Sequence, residues 1–61
     1  MDKLLLTAEE AARVLSVGRS TVYDLIRLRL LRSVKIGRSR LIPAVACQEL
    51  VEQLIRQSEE P

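Results

Sequence analysis

Apolar residues recur at helical spacing near the start of the chain. Four of them have the i, i+3, i+4, i+7 spacing of one helix face, with Glu9, Glu10 and Arg13 on the opposite side: Ala8, Ala11, Ala12 and Leu15. This is the pattern of a helix that buries one face. Residues 7–10 also have the spacing of a capping box, in which the side chains of Thr7 and Glu10 each accept from the other residue's backbone amide. The pattern predicts a short helix that begins directly after Thr7.

A second helical pattern follows a brief interruption. Residues 16–18 break the spacing, and Gly18 suits either a backbone conformation closed to other residues or the cap of the next helix. From Arg19 onward, Val22, Leu25 and Ile26 resume the helical spacing. Two short helices joined by such a turn form a helix-turn-helix, whose second helix can enter the major groove of DNA. Residues 28–31 contain no glycine, so the sequence does not show at which residue this helix ends.

The rest of the chain alternates before it returns to helical spacing. Polar and apolar residues alternate over 33–36, residues 37–39 have turn chemistry, and residues 40–42 suit a second strand. This predicts a two-stranded β-hairpin with a basic tip. Pro43 favours the start of a third helix. An apolar stripe on that helix continues through about residue 57: Cys47, Leu50, Val51, Leu54 and Ile55. Residues 58–61 are expected to form a frayed tail.

Length and composition limit the chemistry. A chain of 61 residues suits one small domain over 1–61, with its core over 4–57. It has no histidine and one cysteine, so histidine general bases, Cys/His zinc sites and thiol pairs are absent. We therefore expect no enzyme, no metal and no cofactor.

The lone cysteine favours a reducing cytoplasm as the location of the protein. The apolar runs are far shorter than a membrane span, so no membrane partner is expected.

Positive charge is concentrated in the middle of the chain. Residues 13–40 carry eight arginines and lysines against one aspartate, a net charge of +7, whereas residues 1–12 carry −2 and residues 41–61 carry −3. Seven of the eight cations are arginines, whose planar guanidinium suits phosphate and guanine edges. The second helix and the hairpin are therefore the candidate surface for a polyanion. The alternative is an ordinary solvated basic face.

The order and spacing of these elements resemble the excisionase-type DNA-binding domain, a small winged-helix relative of the DNA-binding domain of MerR regulators. The resemblance covers residues 4–54 and rests on these matches: LLTAEEAA at 5–12 with Leu15, RSTVY at 19–23 with Leu25 and Ile26, KIGR at 35–38, and Ile42 with Pro43. It implies an α+β, mostly helical fold, a winged helix-turn-helix with a two-stranded β-hairpin wing and a C-terminal helix.

Two departures from the family pattern bear on the turns. Such domains commonly have a glycine at the first position of the turn and a serine as the cap of the second helix. This chain has Ser16 at the first of these positions and Gly18 at the second, so the two residue types are exchanged. Arg29 stands where a glycine commonly follows the second helix, which predicts that this helix runs longer or ends in a different turn.

The resemblance implies binding to double-stranded DNA, with the second helix in the major groove and the wing in the adjacent minor groove. Excisionases bind side by side on attachment-site DNA, bend it, and direct a site-specific integrase toward excision of a phage or plasmid element. Such a protein is cytoplasmic and associated with the bacterial nucleoid. The alternative in the same class is a small excisionase-like or MerR-like transcriptional regulator. The alternative from another class is a protein-interaction module that uses the acidic third helix or residues 28–31.

Nine polar side chains are the candidate DNA contacts. Those of the second helix are Arg19, Ser20, Thr21, Tyr23 and Arg27, and those of the wing are Lys35, Arg38, Ser39 and Arg40. Three interpretations stay open beside this one. Thr21 can cap the helix, Tyr23 can lie partly in the core, and an aspartate at position 24 is more often a spacer or a partner for Arg27 or Arg19 than a reader of cytosine. Cys47 is expected to be a small core residue.

Overall fold

The computed structural model describes residues 3–59. Six elements follow one another in this described part: β1 (Leu5–Leu6), α1 (Ala8–Leu15), α2 (Arg19–Arg27), β2 (Val34–Ile36), β3 (Ser39–Pro43) and α3 (Ala44–Glu59). The predicted α+β, mostly helical arrangement of helix-turn-helix, hairpin wing and final helix is confirmed. Among the described residues, none of the helices has the length and apolar character needed to span a membrane.

The start of α1 is the predicted capping box. The Thr7 hydroxyl accepts from the Glu10 backbone amide at 3.1 Å, and the Glu10 carboxylate accepts from the Thr7 amide at 2.9 Å. These two bonds satisfy amides that the first turn of a helix leaves without partners. The Glu10 carboxylate also accepts a hydrogen bond from the Lys3 ammonium group. This ion pair joins the segment before β1 to the first turn of α1.

In the turn between α1 and α2, a serine has the left-handed backbone conformation that glycine usually adopts. Ser16 has a left-handed φ of 59°, and the amide of Val17 donates to the carbonyl of Ala12 at 3.0 Å, which closes a Schellman-type helix end. Gly18 then caps α2 with an ordinary φ of −75°. The exchange of roles indicated by the sequence is therefore present, and Gly18 provides no side-chain bond to the helix it caps.

The end of α2 corrects one prediction. α2 ends at Arg27, and Arg29 adopts a left-handed φ of 64°. The amide of Leu30 donates to the carbonyl of Leu25 at 2.9 Å, again a Schellman-type closure. The prediction of a longer helix or a different turn was wrong, because Arg29 itself makes the turn that glycine usually makes. Leu31, directly after this turn, is fully buried, and its packing holds the strained turn in place.

The sheet has three antiparallel strands in the order β1-β3-β2. β2 and β3 form the predicted hairpin, and Gly37 in its turn has a φ of 61°. The backbone pairs of this hairpin are Val34 with Leu41, Lys35 with Arg40 and Ile36 with Ser39. Ser39, which the sequence indicated as a turn residue, is therefore the first residue of β3. β1 was not predicted, because two leucines next to a helix cap show no alternation.

The core lies where the three helices meet β3. Among the described residues, the largest side chains that are almost completely shielded from solvent are Val22 of α2, Leu31 after it and Ile42 of β3. α1 contributes Ala8, Ala11 and Ala12 to this core, and such small side chains let its backbone approach the neighbouring elements closely. The core therefore fixes the position of α2 relative to the hairpin.

α3 differs from its prediction at both ends. Pro43 is the last residue of β3, directly before the helix rather than in its first turn. The helix continues to Glu59, so residues 58 and 59 are helical and not part of a frayed tail, while residues 60 and 61 lie outside the described residues. The apolar stripe is buried only in its first half. Cys47 and Leu50 belong to the core, whereas Val51, Leu54 and Ile55 are 41–52% exposed.

Candidate nucleic-acid interface

α2 buries one side and presents the opposite side to solvent. Val22 is fully buried, and Leu25 and Ile26 pack against the core. Successive residues of a helix are about 100° apart, so the side of α2 opposite the core is centred on Ser20, Asp24 and Arg27. Arg19, Thr21 and Tyr23 flank this centre. All five predicted contact residues of α2 are exposed.

Arg19 and Tyr23 form one contact at the edge of this surface. The guanidinium carbon of Arg19 lies 5.7 Å from the centre of the Tyr23 ring, within the range of a cation–π interaction. A hydrogen bond with the Tyr23 side chain raises the pKa of Arg19, and the carboxylate of Glu9 lies 3.9 Å away. Tyr23 is 40% exposed, so its ring is accessible from solvent.

Asp24 and Arg27 form a second contact on the same helix. A guanidinium nitrogen of Arg27 donates to Asp24 Oδ1 at 2.9 Å, and both side chains are more than half exposed. The expectation that Asp24 pairs with Arg27 is confirmed. Gly18 is the cap of α2, and the helix start receives no side-chain capping bond from it.

Residues of the wing and of α2 line a common groove. This shallow groove is formed by the start of α1, by α2 and by β3, and its lining includes Glu9, Arg19, Tyr23, Ser39 and Arg40. Arg40 also donates to the Ser33 hydroxyl at 2.9 Å, which holds its guanidinium near the end of the loop before β2. The structure thus brings four of the nine predicted residues together. Lys35, whose backbone pairs with that of Arg40, and Arg38 in the hairpin turn are exposed and line no part of this groove.

A larger cleft contains two arginines that the sequence analysis missed. It runs between the end of α2 and the hairpin and is lined by Arg27, Arg29, Arg32 and Arg40 together with Ser33. Arg32 is bound to Glu49 of α3 at 2.8 Å. Arg29 and Arg32 belong to a loop without periodicity, so no pattern assigned them to a face. The available signal was their membership in the +7 segment. Both grooves share Tyr23 and Arg40, which makes the basic surface continuous.

Cys47 lies away from this surface. Its side chain is buried in α3, and burial raises the pKa of the thiol, which keeps it protonated and unreactive at neutral pH. Within residues 3–59, no three side chains of histidine, cysteine, aspartate or glutamate are placed to hold a metal ion.

Comparison with known proteins assigns the family. A family model described as a helix-turn-helix domain matches residues 5–57. A protein of Streptomyces ambofaciens named "Excisionase" is 48% identical over 48 residues, which cover 79% of this chain and 77% of that protein. This chain belongs to the excisionase family of helix-turn-helix domains. The excisionase-type resemblance stated from the sequence is confirmed.

A second relative is longer than this chain. A protein of Saccharopolyspora erythraea named "Probable excisionase" is 43% identical over 56 residues, which cover 92% of this chain. The matched region is 57% of that protein's length, so the excisionase-family chain described here spans little more than half of this relative. No solved structure matches the chain.

Proposed function

We propose that this chain is a DNA-binding excisionase. It places α2 in the major groove and the β2–β3 hairpin in the adjacent minor groove, bends attachment-site DNA, and directs a site-specific integrase toward excision of a phage or plasmid element. The observation that carries the proposal is the continuous basic surface formed by α2, the loop after it and the hairpin of an excisionase-family domain. A winged helix-turn-helix presents these elements to the two grooves of a duplex.

The position of each side chain suggests its role on the duplex. Ser20 and Arg27, at the centre of the outward side of α2, face the base edges. Phosphates and sugars are the natural targets of the flanking side chains, because half or more of protein–DNA hydrogen bonds go to the backbone. The side chains proposed to contact phosphates and sugars are Arg19, Thr21, Tyr23, Ser39 and Arg40. Lys35 on β2 and Arg38 in the hairpin turn suit the minor groove, whose negative potential attracts such cations.

Contacts in two adjacent grooves can favour a bent duplex. If the duplex curves toward the protein, α2 and the hairpin gain added phosphate contacts, and these offset the elastic energy of the bend. α3 has no assigned DNA contact, and its acidic and apolar exposed side chains are available to protein neighbours, the integrase and adjacent copies of this chain. Strand exchange is left to the integrase, and no catalytic step is assigned to this chain. The protein works in the bacterial cytoplasm, on nucleoid DNA.

A gel-shift titration tests the proposal. Binding is measured on attachment-site DNA and on a random duplex of equal length, at two salt concentrations. If each copy neutralises about five phosphates, log affinity falls against log salt with a slope of about −4 to −5. Discrete successive bands on the attachment site, resistant to competitor, are expected from copies that load side by side. A flat salt response contradicts the proposal.

A matched pair of variants distinguishes the contribution of the basic surface to DNA binding from that of positive charge elsewhere on the protein. The double substitution of Arg19→Ala and Arg27→Ala should abolish binding to the attachment site. Arg56→Ala removes an arginine from the exposed end of α3 and should leave that binding nearly unchanged. Equal weak binding of the unmodified protein to both duplexes would instead indicate a regulator with another target or a protein-interaction module.

A further inference from the structure

Asp24 is an exception in the basic surface. It is the one acidic residue in the segment 13–40, which otherwise carries eight cations. Its side chain is 59% exposed and lies at the centre of the side of α2 that faces away from the core. A duplex that approaches this side meets the carboxylate together with Ser20 and Arg27. The carboxylate repels the phosphates that the surrounding arginines attract.

A carboxylate in that position is costly unless DNA offers it a hydrogen-bond donor. Contact with the duplex removes its water, and an ionised group that loses water without a partner is strongly destabilising. Asp24 Oδ1 accepts from Arg27 at 2.9 Å, whereas the structure gives Asp24 Oδ2 no partner among the described residues. One oxygen is therefore occupied within the protein, and the other is available to the duplex.

We propose that Asp24 is a specificity-determining residue that admits an exocyclic amino group in the major groove and positions Arg27 beside it. The proposal rests on the DNA-binding role proposed above. The amino groups of cytosine N4 and adenine N6 are the donors that base edges present in the major groove. At this position Asp24 accepts from such a group, while guanine and thymine place carbonyl oxygens against the carboxylate and are rejected.

The contact between Asp24 and Arg27 extends base recognition to a second, neighbouring base. One guanidinium nitrogen is held by Asp24 Oδ1, which restricts the long Arg27 side chain to few conformations. The remaining N–H groups of Arg27 keep their fork geometry, which matches the O6 and N7 acceptors of a guanine. Asp24 thus reads an amino group directly and orients the guanidinium that reads the neighbouring guanine. Removing the carboxylate should relax the base preference at both positions.

Selection from a random duplex library tests this inference. The unmodified protein and Asp24→Asn are each used to enrich sequences at the same salt concentration. The unmodified protein should fix cytosine or adenine at one position, next to a preferred guanine. With Asp24→Asn, whose amide group can also donate to carbonyl oxygens, guanine and thymine should no longer be rejected at the first position, and the guanine preference at the second should weaken. The affinity ratio between the selected duplex and a random duplex should fall by about 5- to 150-fold, the discrimination of one good base contact.

Two further measurements decide between specificity and simple charge. Asp24→Asn should bind the random duplex more tightly than the unmodified protein, because a repulsive charge is gone. Glu52→Gln removes the same charge from α3 and should leave the selected sequence unchanged. The inference is overturned if Asp24→Asn selects the same sequence as the unmodified protein and binds every duplex more tightly by one common factor. If the unmodified protein binds no duplex, the proposed function itself has failed, which is a different result.

Discussion

The two glycines of the chain have opposite backbone requirements. Gly18, the cap of α2, has φ −75° and ψ 159°, a conformation that any residue adopts. Gly37 in the hairpin turn has φ 61°, in the left-handed region that favours glycine. A Cβ atom added at either position would have no heavy atom within 4 Å. The two positions therefore differ in backbone conformation and not in available space.

Replacing each glycine by serine should change stability in opposite directions. Gly18→Ser supplies the missing capping side chain and restricts the unfolded chain, so the free energy of unfolding should rise by about 0.5–1 kcal/mol. Gly37→Ser forces a side chain into the left-handed region and should lower it by about 1–2 kcal/mol. Urea denaturation of the two variants beside the unmodified protein measures both effects. A Gly18→Ser variant that is less stable would contradict the assignment of Gly18 as the helix cap.

Glu10 makes stability depend on pH in the acid range. Its hydrogen bond from Lys3, and then its bond from the Thr7 amide, lower the pKa of the carboxyl below its ordinary value. A group with a lowered pKa in the folded state stabilises the fold above the ordinary pKa, and this contribution is lost as the pH falls through the folded value. Glu10→Gln should therefore be less stable than the unmodified protein at neutral pH, and this difference should shrink below about pH 4.5.

Thermal unfolding from neutral to strongly acid pH measures that difference. Lys3→Gln serves as the matched variant, because it removes the strongest cause of the lowered pKa and keeps the titrating carboxyl. Its pH dependence should lie between those of the unmodified protein and Glu10→Gln. A stability difference that stays constant across the acid range would show that the charge of Glu10 contributes nothing to the cap.

At the scale of elements, α3 consists of two halves with different roles. The first half supplies Ala46, Cys47 and Leu50 to the core, whereas every residue from 51 to 59 is exposed. The apolar spacing of the sequence continues through both halves without a change. Periodicity shows which side of a helix is apolar, but it contains no information about how far the neighbouring elements extend along that side.

This division predicts unequal effects of two leucine substitutions in α3. Leu50→Ala removes a buried side chain and should lower the free energy of unfolding by about 2–5 kcal/mol. Leu54→Ala changes an exposed side chain one turn further and should change it by less than about 0.5 kcal/mol. Denaturation at low protein concentration compares the two variants. Equal losses would mean that the second half of the helix is also packed.

At the scale of the whole molecule, the core is small and rich in alanine. Within residues 3–59, ten apolar residues are buried, and four of them are alanines: Ala8, Ala11, Ala12 and Ala46. Short side chains bury little apolar area, and a domain of this size has little stability to lose. The candidate DNA surface lies outside this core, so binding of a duplex adds to the stability without competing with packing.

Duplex DNA should therefore stabilise the folded protein strongly. At a duplex concentration one hundred times the Kd, the gain is about 2.7 kcal/mol, and each kcal/mol raises the Tm of a domain this size by about 4–8 °C. Raising the salt concentration weakens binding and should remove this shift. Calorimetry with and without duplex measures it. The double variant of Arg19→Ala and Arg27→Ala should melt at the same temperature in both samples.

Much of the candidate site was predictable from the sequence, because its parts are local. The capping box at residues 7–10 and the polar side of α2 depend on residues within a few turns of each other, and they appear as indicated. Arg29 and Arg32 could not be assigned, since their place in the cleft depends on a left-handed turn and on an ion pair to Glu49. Neither feature has a signal in the sequence near these arginines.

The sequence by itself determined the order of helices and hairpin, the start of α1 and the concentration of positive charge, because helical spacing, capping and charge are properties of neighbouring residues. Only the tertiary structure decided that β1 pairs with β3, that Arg29 takes the conformation of a glycine, and that α3 buries just its first half. These three features depend on contacts between segments distant in the chain. Their free energy comes from packing and from backbone pairing between elements, which no local pattern records.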